Sequence, residues 1–120
     1  MDLRYTFNPC QSDIDAMTRG VHDLGGLPAG PVDLAEHERT FFDQRVDAMM
    51  RLLADPERGY YTVDAMRRAI ETLPRDDYFG LGYYERWVRA IRQLAVEQGL
   101  VTEDELNRKL AALAAAGGQP

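Results

Sequence analysis

Five residues of this chain combine reactive or strongly donating side chains with spacings that could bring them together: Arg67, Arg68, Tyr83, Tyr84 and Trp87. A guanidinium keeps its charge at any working pH and presents its donors in a planar fork. It is therefore suited to an oxyanion held by two parallel hydrogen bonds, a geometry lysine does not match. The same two arginines also suit plain surface pairing, because Asp64 lies four residues before Arg68 and Glu71 four after Arg67. Exposed pairs of that kind contribute only about 0–1 kcal/mol. Tyr83 follows Gly80-Leu81-Gly82, so its hydroxyl could emerge at a helix N-terminus, where a phenol can donate a hydrogen bond or relay a proton. Tyr83 and Trp87 are four apart and stack on one helical face, whereas Tyr84 is expected to point elsewhere. These rings at this spacing equally describe the aromatic plug of a small helical core.

The rest of the chain offers little to a reaction. Cys10 is the only cysteine, so an internal disulfide and a thiolate metal centre built from this chain alone are excluded. His22 and His37 have no third ligand at a familiar spacing, and no metal ligand is assigned here. There is no nucleophile elbow, phosphate loop or dinucleotide fingerprint. If the chain belongs to an enzyme, the central chemistry is expected on another chain. A net charge of −6 argues against a nucleic-acid partner. No apolar run approaches the roughly 20 residues of a membrane span. Met1-Asp2-Leu3-Arg4-Tyr5 lacks the basic, then apolar start of a signal peptide, so a cytoplasmic location is expected.

The elements that must position these residues read as all-α, about four helices in one domain over 36–116, with an extended arm over 1–35 and a frayed tail over 117–120. A first helix is expected over 36–54, with Phe42, Val46, Met49, Met50 and Leu53 on one face and Glu36 and Glu38 at its positive end. Pro56 and Gly59 end it. A second helix over 63–73, N-capped by Thr62, carries Val63, Met66, Ile70 and Leu73 inward and the two arginines on the other side. Residues 74–82 read as a loop too apolar, with Phe79 and Leu81, to stand free. A third helix over 83–98 continues the Tyr83 face through Trp87, Ile91, Leu94 and Ala95, and Gly99 suits a left-handed cap with Leu100 folding back. Thr102 and Glu105 form a capping box for a fourth helix over 103–115, with Leu106, Leu110 and Leu113 inward.

The arm reads as having turns at Gly25-Gly26 and at 28–31, and a helical turn at 13–17. Leu3, Tyr5, Phe7, Ile14, Met17, Val21, Leu24 and Leu27 are too many apolar groups for a solvated tail. The arm is expected to lie on a partner subunit and wrap it.

With these residues in view, the chain resembles the N-terminal half of the nitrile hydratase β subunit. It resembles at least as closely the separate small subunit that plays this part in thiocyanate hydrolase. His22-Asp23-Leu24-Gly25-Gly26 is similar to the family's Asp-(Val/Met/Leu)-Gly-Gly element of the partner-embracing arm. The stretch Val63-Asp64-Ala65-Met66-Arg67-Arg68-Ala69-Ile70-Glu71 looks like its arginine-bearing helix. Leu81-Gly82-Tyr83-Tyr84-Glu85-Arg86-Trp87 looks like its Tyr-Tyr-x-x-Trp motif. Together with the following helix, the resemblance covers residues 22–113.

The resemblance implies a heteromeric lyase in which a nitrile is hydrated at cobalt, less commonly iron. That metal is held in an α-type partner by a cysteine cluster carrying sulfenic and sulfinic oxygens. By motif position Arg67 would grip those oxygens and Tyr83 would stand near the reacting water. Met66, Tyr84 and Trp87 would line the substrate pocket, and Asp23, Leu24, Gly25 and Gly26 would meet the partner. The family's C-terminal SH3-like barrel half has no counterpart here, which implies three chains, with a separate barrel subunit. The resemblance leaves two further readings open: a subunit of thiocyanate hydrolase, acting on thiocyanate, and an activator protein that escorts the metal-binding subunit. The Asp23–Gly26 element together with Arg67 favours a permanent subunit over the activator.

Overall fold

The computed structural model of the chain describes residues 19–117. The expected turn at 13–17, the arm's first apolar residues and most of the expected tail lie outside them. Among the described residues the chain is all-helical, with five helices. They are α1 (Phe41–Leu53), α2 (Val63–Glu71), α3 (Arg75–Gly80), α4 (Tyr83–Glu97) and α5 (Glu103–Ala115). No described helix is long and apolar enough to cross a membrane.

The first helix starts at Phe41 and not at residue 36, because its N-terminal signal lies later than the acidic run suggested. The Thr40 hydroxyl accepts from Asp43 N–H at 3.2 Å, and the Asp43 carboxylate accepts from Thr40 N–H at 2.9 Å. Upstream, the Asp33 carboxylate accepts from Ala35 N–H at 2.9 Å and lies 3.3 Å from His37 Nε2. That local turn competes with a helix and holds Glu36 and Glu38 before it. Past the far end, Arg58 and Gly59 N–H both donate to the Asp55 carbonyl, and Gly59 adopts φ 62°. On the expected apolar face Val46 is buried and Met50 and Leu53 pack on the core, but Phe42 and Met49 are exposed.

The second helix is capped by Thr62, as expected, and ends at Glu71 instead of 73. The Thr72 hydroxyl donates to the Ala69 carbonyl, which tightens the last turn ahead of Pro74. Residues 74–82 are not a packed loop. Pro74 caps the short α3, whose first turn carries Asp76 and Asp77 at the positive helix end. Phe79 is exposed and stacks under the Arg75 guanidinium. The fourth helix opens at Gly82, where the Glu85 carboxylate accepts from Gly82 N–H at 2.7 Å. It closes as the glycine signal predicts: Gly99 sits at φ 70°, and Leu100 N–H reaches back to the Ala95 carbonyl at 2.9 Å.

The core forms where α4 packs against α2 and α1. It consists of Val46, Tyr61, Met66, Ala69, Ala90, Ile91 and Leu94. Ala69 and Ala90 have no exposed surface, and side chains this small let α2 and α4 approach closely. That approach sets Arg67 of α2 beside the aromatic N-terminus of α4. The last helix departs from expectation. Its capping box is present, but Leu110 and Leu113 are 53% and 49% exposed, and none of its residues is buried. An Arg92–Glu103 ion pair at 2.6 Å ties its start to α4. It is held helical by its cap and by its Ala, Leu and Glu content, not by burial.

Candidate functional site

Each candidate side chain is positioned by one of these elements. Met66 is buried at the α2–α4 contact, and the helical turn places Arg67 next to it on the solvent side. The Arg67 guanidinium is 71% exposed and makes a single long contact, 3.4 Å, to the Asp64 carboxylate. Arg68 does not pair with Asp64. It crosses to α4 and meets the Glu97 carboxylate at 2.8 Å. The Gln93 side chain and then Arg68 hold the Glu97 carboxyl below the usual range. Arg68 thus braces α2 on α4, while its neighbour is left to the outside.

The three rings at the start of α4 make one cluster. Tyr83 and Trp87 have centroids 5.1 Å apart, and Tyr84 does not point elsewhere: it meets Tyr83 edge-on at 5.1 Å and Trp87 at 5.6 Å. Trp87 and Tyr84 pack on the core, whereas Tyr83 is 57% exposed. The plug and the exposed phenol are therefore both present, in different members of one motif. Contacts of this kind add about 0.5–1.5 kcal/mol per pair beyond area burial, which stiffens the helix start that carries the phenol.

Arg67, Met66, Tyr83 and Trp87 line one groove of about 380 Å³ between α2 and α4. Met50, Val63 and Ile70 give it apolar walls, and Tyr78 and Arg86 close it from the side of α3. Tyr84 lies outside it, in a second hollow of about 640 Å³ beyond Tyr83, with His37, Arg39 and Phe42. Arg86 was not singled out from the sequence. Its signal was position: three residues after Tyr83, it shares that side of α4.

The Asp23–Gly26 element stands away from the groove. It is a tight exposed turn in which Leu27 N–H donates to the Leu24 carbonyl, the Arg19 guanidinium donates to the Gly25 carbonyl, and Gly26 takes φ 77°. His22 Nε2 lies 3.9 Å from the Glu71 carboxylate, which joins the arm to the end of α2. Among the described residues no group of three or more His, Cys, Asp or Glu could hold a metal ion. The groove supplies N–H and O–H donors and apolar walls.

Known proteins resemble this chain in sequence and fold. The chain is 33% identical over 92 residues to the beta subunit of a low-molecular-weight cobalt-containing nitrile hydratase from Rhodococcus rhodochrous, covering 75% of this chain and 41% of that protein. It is 31% identical over 96 residues to thiocyanate hydrolase subunit beta from Thiobacillus thioparus, covering 79% of this chain and 60% of that one. A solved structure of recombinant apo thiocyanate hydrolase from Thiobacillus thioparus superposes with a TM-score of 0.75 at 26% identity, over 100% of this chain and 81% of that one. The chain spans from 41% to 60% of the length of these two curated relatives. Residues 17–120 match the family described as nitrile hydratase beta subunit, N-terminal, and the chain belongs to that family.

Proposed function

We propose that this chain is the non-metal-binding, β-type subunit of a cytoplasmic, three-subunit nitrile hydratase. A small nitrile would be hydrated to its amide at a metal held by an α-type partner, with a separate SH3-like barrel subunit completing the assembly. The observation that carries this reading is the groove shared by Arg67, Met66, Tyr83 and Trp87 in a chain of this family. Its donor set suits the outer face of a metal centre whose own ligands are anionic and belong to another chain. Cobalt, or less commonly iron, bound there would supply Lewis acidity.

This chain's contribution is then positional and electrostatic. Arg67 keeps only a long contact to Asp64, so its fork is available for two parallel hydrogen bonds to oxidised thiolate oxygens on the partner. Such oxygens are anions that burial at an interface would leave costly without fixed donors. The Tyr83 hydroxyl provides a polar group for orienting the reacting water. Met66 and Trp87 give the apolar part of the nitrile a wall and exclude bulk water. The Asp23–Gly26 turn and the arm over 1–35 embrace the partner, while the helices over 36–116 carry the groove.

The test is co-expression with a chain bearing a Cys-x-x-Cys-Ser-Cys cluster and a barrel chain, followed by metal and amide analysis. R67K and R67A should lower kcat by about a hundredfold, the scale of losing one fixed oxyanion donor. Their thermal unfolding should match that of the wild-type chain. Full turnover in either variant would sink the role given to Arg67.

A subunit of thiocyanate hydrolase is the second reading, supported by the likeness of this chain's fold to solved thiocyanate hydrolase at a TM-score of 0.75. Carbonyl sulfide and ammonia as products, in place of an amide, would decide for it. Release from the partner after metal loading would instead mark an activator.

A further inference from the structure

We propose that Arg86 gives the groove a preference for substrates that carry a negative charge, an inference that rests on the groove being the substrate site. In a chain of net charge −6, the groove between α2 and α4 is lined by two guanidiniums, Arg67 and Arg86, and by no carboxylate. Arg67 is partly answered by Asp64, and Arg39, Arg51, Arg68 and Arg92 each pair with an acid. No carboxylate among the described residues pairs with Arg86. Its charge is half-buried, so water and salt screen it less than an exposed charge.

The guanidinium is also held in place. One Nη1 donates to the Tyr78 carbonyl at 3.1 Å, and the group lies 5.1 Å from the centre of the Tyr78 ring. A guanidinium has five N–H donors, so most of the fork remains unused after this bond. A fixed fork beside an apolar wall holds an anion with little ordering cost. If Arg67 is committed to the partner's oxidised thiolates, Arg86 is the remaining cation, and a neutral nitrile would leave it unanswered. Two kinds of substrate share the required chemistry: a linear anion such as thiocyanate, and a nitrile that bears a carboxylate.

The test uses the assembled complex with wild-type chain, R86Q, R86K or R89Q, the last at an exposed position outside the groove. Thiocyanate, a cyanocarboxylate and a neutral nitrile of similar size are compared by kcat/KM. R86Q should lower the ratio of anionic to neutral substrate by about tenfold to a hundredfold, the scale of a charge-assisted hydrogen bond. R86K, which keeps the charge without the planar fork, should lower it less, and R89Q should keep the wild-type ratio. A fall confined to one anion also supports the proposal and tells which end of the substrate Arg86 meets. An unchanged ratio, or an equal loss on neutral and charged substrates, would overturn it and leave Arg86 as a tie between α3 and α4. If the wild-type complex turns over none of the three, the proposed function fails. Line broadening of isotopically labelled thiocyanate by the same complexes then decides on Arg86: weakening by R86Q upholds the role, and equal broadening overturns it.

Discussion

Tyr61 shows how much a single residue's chemistry depends on what surrounds it. It is 6% exposed in the core, and its hydroxyl meets no hydrogen-bonding partner among the described residues. A buried unpaired hydroxyl costs about 1–3 kcal/mol, while the ring contributes packing that phenylalanine would keep. Y61F should therefore stabilise the chain by about 1 kcal/mol, read as a rise in the urea midpoint at unchanged slope. The pH dependence has a definite sign. Burial favours the neutral phenol and raises its pKa in the folded chain. The stability linked to this shift is present below the unfolded value of about 10 and is lost as pH rises through the raised folded value. Removing the hydroxyl should flatten the alkaline loss of stability, and a Y61F chain that declines as the wild type does would contradict this account. Nothing in the run Gly59-Tyr60-Tyr61 told which tyrosine goes inside. Arg67 and Tyr83, by contrast, could be picked out by residue type and motif position. That they share a groove depends on the close α2–α4 contact made by Ala69 and Ala90, which a list of single residues does not contain.

Among the elements, the local signals were the legible ones. Thr62, Thr102 with Glu105, and Gly99 each act within a few residues of themselves, and each occurs where its pattern placed it. The signals that misled were those with a competitor. The acids at 36 and 38 looked like a helix start, but Asp33 and Thr40 claim the neighbouring N–H groups first. Residues 74–82 read as a loop, so α3, which Pro74 starts, went unseen, and with it the carbonyl that fixes Arg86. In α5 the apolar period put Leu106, Leu110 and Leu113 on one face but could not say whether anything covers it, and Leu110 and Leu113 are exposed. A helix held mainly by its cap should be sensitive to that cap. T102A should speed amide exchange throughout α5 while leaving α4 protected, because α4 has the core behind it. Acid should act in the same direction. The Thr102 backbone N–H, and then its hydroxyl, hold the Glu105 carboxyl below its ordinary range. The cap is thus fully present above the unfolded carboxyl pKa and is lost as pH falls through the lower folded value. Equal exchange in wild-type and T102A chains would show that α5 draws its stability from elsewhere.

At the scale of the whole molecule, the described part of the arm, residues 19–40, adds no residue to the core and leaves apolar groups exposed. A compact chain of this length has a radius of gyration of about 14 Å. This one has 20.3 Å and a long axis of 76 Å. Leu27, Val32 and Leu34 are 52%, 81% and 88% exposed along a segment with no helix between residues 19 and 40. The arm returns to the helices through His22 and Glu71, at the end of the helix that carries Arg67. An embrace of the proposed partner by the arm would therefore draw it toward the groove, a role separate from the folding of the helices. Removing residues 1–35 separates the two roles. All core residues among the described ones lie beyond the cut, so the truncated chain should keep its helical circular dichroism and nearly its full melting temperature. It should also fail to co-elute with the proposed metal-binding subunit, and the proposed nitrile or thiocyanate turnover should vanish with the complex. Retained assembly would mean that the groove and the exposed face of α5 suffice for docking. Loss of helical structure would mean that the arm belongs to the fold, in which case its exposed leucines would need another explanation.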